Sequence, residues 1–98
     1  MPQPYSNFND NKAALTTAGT RQQLASPTPC GKVIITAGEG NAGNIVIGGP
    51  TVVATIGTTR SGAVLLPLGS ITLEIDDLSK VWFDGTNSGD TVSYSYLF

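Results

Sequence analysis

From Ser70 to Asp76 the chain alternates without a break, with Ile71, Leu73 and Ile75 on one side and Thr72, Glu74 and Asp76 on the other. A period of two residues is that of a β-strand with one face on a core. Thr91 to Phe98 repeats the pattern, setting Val92, Tyr94, Tyr96 and Phe98 against Ser93 and Ser95. Lys32 to Ala37, Asn44 to Ile47, Val52 to Ile56 and Val81 to Asp84 are shorter and denser in Val and Ile. They read as strands covered at least partly on both faces. Thr20 to Ala25 and Ala13 to Thr17 are weaker candidates. No segment keeps a helical period, so the pattern predicts about eight short strands.

Strands of this length, with a turn signal about every ten residues, predict an all-β, two-sheet antiparallel sandwich, jelly-roll-like in its winding. An immunoglobulin-like sandwich is the rival, but its Cys, Trp, Cys framework is missing here. Gly38 to Gly43 (GEGNAG) joins two strong strands, Gly48-Gly49-Pro50 ends one, and Pro67-Leu68-Gly69 bends the chain into Ser70. Asp84 to Asp90 (DGTNSGD) is the polar turn before the last strand. In Thr20 to Ala25, Gln22 occupies a phase where Leu24 predicts an inward apolar residue, which points to an edge or an interface.

Residues 1 to 11 differ from the rest. They hold two prolines and three asparagines, with Tyr5 and Phe8 as the large apolar side chains. The expected organisation is an extended N-terminal arm over 1–11 and the sandwich over 12–98. Such an arm is either a frayed terminus or a strap that orders on assembly, its Tyr5 and Phe8 docking on another subunit.

Charge shifts the picture away from several classes. Charged residues make up 12% of the 98, against roughly 25% in ordinary soluble domains. A surface of hydroxyls and amides can be covered by a neighbour without stranding charge. The net charge of −2 gives no electrostatic footprint for nucleic acid. Ala63 to Leu68, the longest apolar stretch, is broken by Pro67 and far short of a membrane span. The N-terminus lacks the pattern of a secretory signal, so the expected place of synthesis is the cytoplasm. A domain this small, with one cysteine, is expected to hide surface against copies of itself.

Catalytic chemistry has little to work with. Without histidine neither a Ser/His/Asp nor a Cys/His system can be built, and one thiol makes no structural zinc site. Cys30 is expected to be a small, buried, inert core residue. Asp84 and Asp90 bracket a glycine-rich loop, yet the loop lacks the glutamate of a calcium hand, and Asp and Asn also fill β-turns for local reasons. Gly38 to Gly43 lacks the lysine and helix of a phosphate cradle. No cofactor, metal or small-molecule substrate is expected. Trp82 is out of phase with Val81 and Phe83, so it faces a second core layer, a subunit interface or solvent.

Three blocks carry a resemblance: GTRQQLASPTPCGKVIITA over Gly19 to Ala37, NAGNIVIGG over Asn41 to Gly49, and LGSITLEIDDLSKVWFDGTNSGDTVSYSYLF over Leu68 to Phe98. In order and spacing they resemble small β-sandwich virion proteins of tailed bacteriophages, found as head decoration (cement) proteins and as bases of head fibres or spikes. That resemblance implies a structural role in the virion and a homotrimer bound to the major capsid protein. Tyr5, Phe8 and Trp82 are the expected partner-binding residues. The alternative is a carbohydrate- or receptor-binding module that stacks sugars on Trp82 and the tyrosines.

Overall fold

The computed structural model describes residues 7–54 and 60–98. Eight strands follow in order: β1 (Phe8–Ala14), β2 (Gln22–Gln23), β3 (Lys32–Ala37), β4 (Ile45–Gly48), β5 (Ala63–Leu65), β6 (Ser70–Leu73), β7 (Trp82–Gly85) and β8 (Thr91–Leu97). Among the described residues one 3-10 turn, Leu78–Lys80, sits between β6 and β7. All pairings are antiparallel, and they join the first strand to the last, the second to the seventh, the third to the sixth and the fourth to the fifth. The chain is thus one long ribbon doubled back at the β4–β5 connection. Contacts of β8 with β3 and of β7 with β4 roll this ribbon into two four-stranded sheets, β1-β8-β3-β6 and β2-β7-β4-β5. This is the strand order of a jelly roll.

Alternation fixes which side chains meet between the sheets. Val33, Ile35 and Ala37 of β3 lie opposite Tyr96, Tyr94 and Val92 of β8, and Ile45 and Ile47 of β4 lie opposite Gly85 and Phe83 of β7. Val33, Ile35, Ala37, Ile45, Phe83 and Val92 have no accessible surface. Leu15, Leu24, Leu78 and Val81 enter the same cluster from the connections. Fully burying one such side chain contributes roughly 1.5–3 kcal/mol, so a thin core is enough when its inward positions are this regularly filled.

Edge strands depart most from the sequence expectation. β1 begins at Phe8, so residues 8–11, expected in the arm, pair with β8 instead, and the strand ends before Leu15 rather than spanning Ala13 to Thr17. An edge strand is held by its backbone hydrogen bonds and needs no apolar side chains, which explains the polar FNDNKAA sequence. β5 falls in Ala63 to Leu68, where uniform apolarity hid the period. β2 is an edge strand, as the phase of Gln22 implied. The Gln22 amide turns to backbone groups, donating to the Ala14 carbonyl at 3.1 Å and accepting from the Thr16 N–H at 2.9 Å. β6 stops pairing regularly after Leu73, although Pro29 and Asp77 bridge in the same register four residues on.

The β5–β6 turn carries the clearest backbone strain. Leu66 and Gly69 close it with a 2.7 Å hydrogen bond from the Gly69 N–H to the Leu66 carbonyl, and Leu68 has a φ of 71°. Pro67 at the second position and a positive φ at the third define a type II turn, whose third position favours glycine or asparagine. The neighbouring glycine cannot take over by exchange, because a Cβ at Gly69 would lie 2.9 Å from the Leu66 carbonyl oxygen. A left-handed conformation costs an ordinary residue roughly 1–2 kcal/mol, part of which glycine gives back through its freer unfolded chain. Leu68→Gly is therefore expected to stabilise the domain by about 1 kcal/mol, a rise of roughly 4–8 °C in melting temperature by calorimetry. A fall in melting temperature would show that the leucine side chain packs well enough to outweigh its backbone.

Candidate interaction surfaces

Four connections, β1–β2, β3–β4, β5–β6 and β7–β8, meet at one end of the sandwich, and buried carboxylates tie three of them together. Asp90, 7% exposed, accepts from the Ala42 N–H at 3.0 Å and the Gly43 N–H at 2.9 Å. Asn41 in the same loop donates to the Thr91 carbonyl and accepts from the Thr91 N–H. Gly89 and Leu15 link the β7–β8 and β1–β2 connections at 2.8 Å. Asp84 accepts from the N–H groups of Gly19 and Gly85 and, at 3.4 Å, from that of Ala54. The two acids that could have offered oxygens to a cation are thus engaged by backbone donors. Among the described residues no three of Asp, Glu, Cys and His gather as a metal site would require.

The expected partner-binding residues do not come together. Tyr5 lies outside the described residues. Phe8 is 63% exposed at the start of β1, on the outer face of the first sheet, in a cross-strand row with Leu97 and Lys32. Behind it that face carries Ser93, Ser95, Thr36 and Thr72 together with Asp10 and Lys12, which lie across from Ser95 and Ser93. Trp82 lies on the outer face of the other sheet, between Gln23 and Gly48. There it is half-buried against Val46, Val52 and Ala54, a second small core formed where the chain after β4 folds back over the sheet. Of its three expected settings, the second core layer is the one observed. Asp84 shares its side of β7, opposite Val46.

Tyr94, Tyr96 and Phe98 form a stacked series along β8, with ring centroids 6.2 and 5.6 Å apart. The series leads out of the core: Tyr94 is buried, Tyr96 half-buried and Phe98 45% exposed. The Tyr96 hydroxyl accepts from the Asn9 amide at 3.2 Å. Phe98 exchanges both backbone hydrogen bonds with Asn7. Phe8 and Phe98 therefore stand exposed at the same end of the first sheet, Phe8 on its outer face and Phe98 on the side of Tyr96.

Two apolar features escaped the sequence reading. At the loop end, Leu66 is 63% and Leu68 67% exposed. On the open side between β6 and the ends of β4 and β5, a groove of 340 Å³ is lined by Ile47, Ala63, Ile71, Leu73, Ile75 and Val81, with Gly48, Gly49 and Lys80 also bordering it. Lys80 is paired with Asp76 at 2.8 Å. Asp77 caps the 3-10 turn by accepting from Ser79 at 2.9 Å and also from Thr28 at 3.0 Å, and these backbone amides hold its carboxyl below the usual range.

Cys30 is half-buried rather than fully buried, because it lies just before β3 at the margin of the core. Its thiol donates to the Ile75 carbonyl at 3.1 Å. Burial raises its pKa, and the charges of Asp77 and Asp76 push the same way. The thiolate is the reactive form, so a thiol-directed dye is expected to label native protein slowly near neutral pH, faster as pH rises past the ordinary thiol range, and at once in denaturant. Rapid neutral labelling would contradict this arrangement.

No family model matches the chain, and neither does any curated protein or solved structure compared with it. What the geometry offers is a rigid frame with apolar groups at its ends and along its open side. The frame itself is testable at Asp90. Asp90→Ala leaves the Ala42 and Gly43 donors without their acceptor and is expected to cost about 1–3 kcal/mol by denaturant titration, with Asp90→Asn closer to the parent protein. A loss below 0.5 kcal/mol, roughly that of a surface substitution, would show that the loops hold without it.

Proposed function

We propose that this chain is a virion structural protein, a capsid decoration (cement) protein that binds the major capsid protein of a tailed phage as a homotrimer and stabilises the head. The observation that carries the reading is the exposed Phe8 ring on the outer face of a braced jelly roll, with Phe98 exposed at the same end of the sheet on its other side. An apolar ring held in solvent by a paired edge strand suits attachment to a much larger surface. The outer face beside Phe8 mixes the hydroxyls of Ser93, Ser95 and Thr36 with the charges of Asp10, Lys12 and Lys32, so a partner that covers it has to pair those charges. The eight-stranded jelly roll agrees with this reading, being a fold used in capsid architecture, although one fold serves many functions. The order of weak sequence signals from Gly19 to Phe98 supports it independently.

Sugar binding through Trp82 gains no support from its position. The indole is half-buried against Val46, Val52 and Ala54, which makes packing its evident role.

Binding of the purified full chain to undecorated heads of the phage that encodes it tests the proposal. Transfer of a phenylalanine side chain out of water contributes roughly 1.5–3 kcal/mol, and 1.4 kcal/mol is tenfold in affinity. Phe8→Ser is expected to weaken head binding at least tenfold and to leave the melting temperature nearly unchanged, since the ring is already mostly in solvent. Tyr5→Ser combined with it is expected to deepen the loss. Undiminished binding by the double variant would remove this end of the molecule from the attachment.

A further inference from the structure

We propose that the Leu66-Pro67-Leu68 turn of one copy seats in the apolar groove of a second copy, a head-to-tail contact between chains. The turn presents three apolar residues in a row to solvent, two of them leucines more than half exposed. Leu68 takes a backbone conformation better suited to glycine, and its side chain gains little packing in return. Backbone outliers cluster at ligand clamps and other contact sites, which singles out this turn. The turn is also held in place: the Leu68 N–H donates to the Ala37 carbonyl at 3.1 Å, and the Ala37 N–H donates to the Gly69 carbonyl at 2.9 Å. A knob already ordered in the free protein loses little freedom on docking.

The groove supplies the matching half. Its 340 Å³ are bounded by the inward side chains of β6, which as an edge strand leaves them half covered, and by Ile47, Ala63 and Val81. Lys80 at the border already has Asp76 as its partner, so an apolar insert strands no unpaired charge there. The turn cannot fill the groove of its own chain. It joins β5 and β6 beside Ala37, whereas the groove lies toward the opposite ends of those strands, by Gly49 and Lys80. An uncharged knob and an apolar groove on one molecule select a second copy as the occupant.

Since knob and groove are different surfaces, the contact is heterologous, as every contact in a ring of three must be. The contact rests on the turn and the groove alone, and only the number three rests on the proposed virion role.

Sedimentation velocity of the full chain over a range of concentrations tests it. The parent protein is expected to assemble beyond the monomer as concentration rises. Leu66→Ser with Leu68→Gly removes the knob and is expected to lower association at least tenfold while melting no earlier than Leu66→Ser alone. Gly49→Trp blocks the groove from a position whose Cβ would meet nothing within 4 Å, with Leu73→Thr as a second groove variant. Each variant alone is expected to remain monomeric. An equimolar mixture of knob and groove variants is expected to form a two-chain complex and nothing larger, because one intact knob and one intact groove remain. A parent protein that stays monomeric, folded variants that assemble as it does, or a mixture that stays monomeric would each overturn the contact. Head binding measured on the same samples separates the two readings: assembly without head binding refutes the capsid role and leaves the contact standing.

Discussion

The pairing of β3 with β8 is the constraint on which the rest of the molecule depends. These are the two central strands of the first sheet, and their register places Val33, Ile35 and Ala37 beside Tyr96, Tyr94 and Val92 on the core side. A slip of one residue would turn these side chains outward and bring Lys32, Ile34, Thr36, Ser93 and Ser95 inward, so the alternation itself excludes the wrong register. Once β8 is fixed, β1 has a template on its free side and β6 is placed by β3. The partners lie between 55 positions (Ala37↔Val92) and 65 positions (Lys32↔Leu97) apart in sequence, so the core closes through long-range contacts.

Local polar groups then finish what the core leaves open. The connections at the loop end contribute few apolar side chains, and their backbone donors need acceptors away from water. Asp84 and Asp90 meet that need, each from a buried position and each across segments distant in sequence. Carboxylates that the sequence offered as candidate ligands are in this structure the fasteners of the loops.

Much of the interior was legible along the chain, and much of the surface was not. β3 matches its expected span because its Val and Ile mark a strand, although Ile34 is exposed on the outer face where cover on both faces was expected. β8 and the inward positions of β6 were readable from their strict alternation. β1 was not, because Asn9, Asp10, Asn11 and Lys12 are held through the backbone and leave no hydrophobic period. β5 was lost within an apolar run whose buried Leu65 and exposed Leu66 look alike in sequence. The phase of Trp82 was correctly set opposite Phe83, but the cover supplied by Val52 and Ala54 comes from tertiary folding. Phe8 and Trp82 were chosen as aromatic residues without an assigned place in the core, and residue type cannot tell that they occupy outer faces of different sheets. The two leucines of the β5–β6 turn were passed over because a Pro-Leu-Gly sequence reads as a bend, and the exposure of its side chains depends on where the sheets end.

Pairing the first strand with the last also determines how the molecule responds to tension. Asn7 and Phe98 lie side by side, joined by two backbone hydrogen bonds, with Phe8↔Leu97 next to them. Force applied to these two points in opposite directions loads that pair first, then the next along β1, and so peels the edge strand away one step at a time. β3 and β8 remain paired behind it. Strain entering through the N-terminal segment would thus be absorbed by a sacrificial edge, with the central strands still bound and able to guide the peeled strand back.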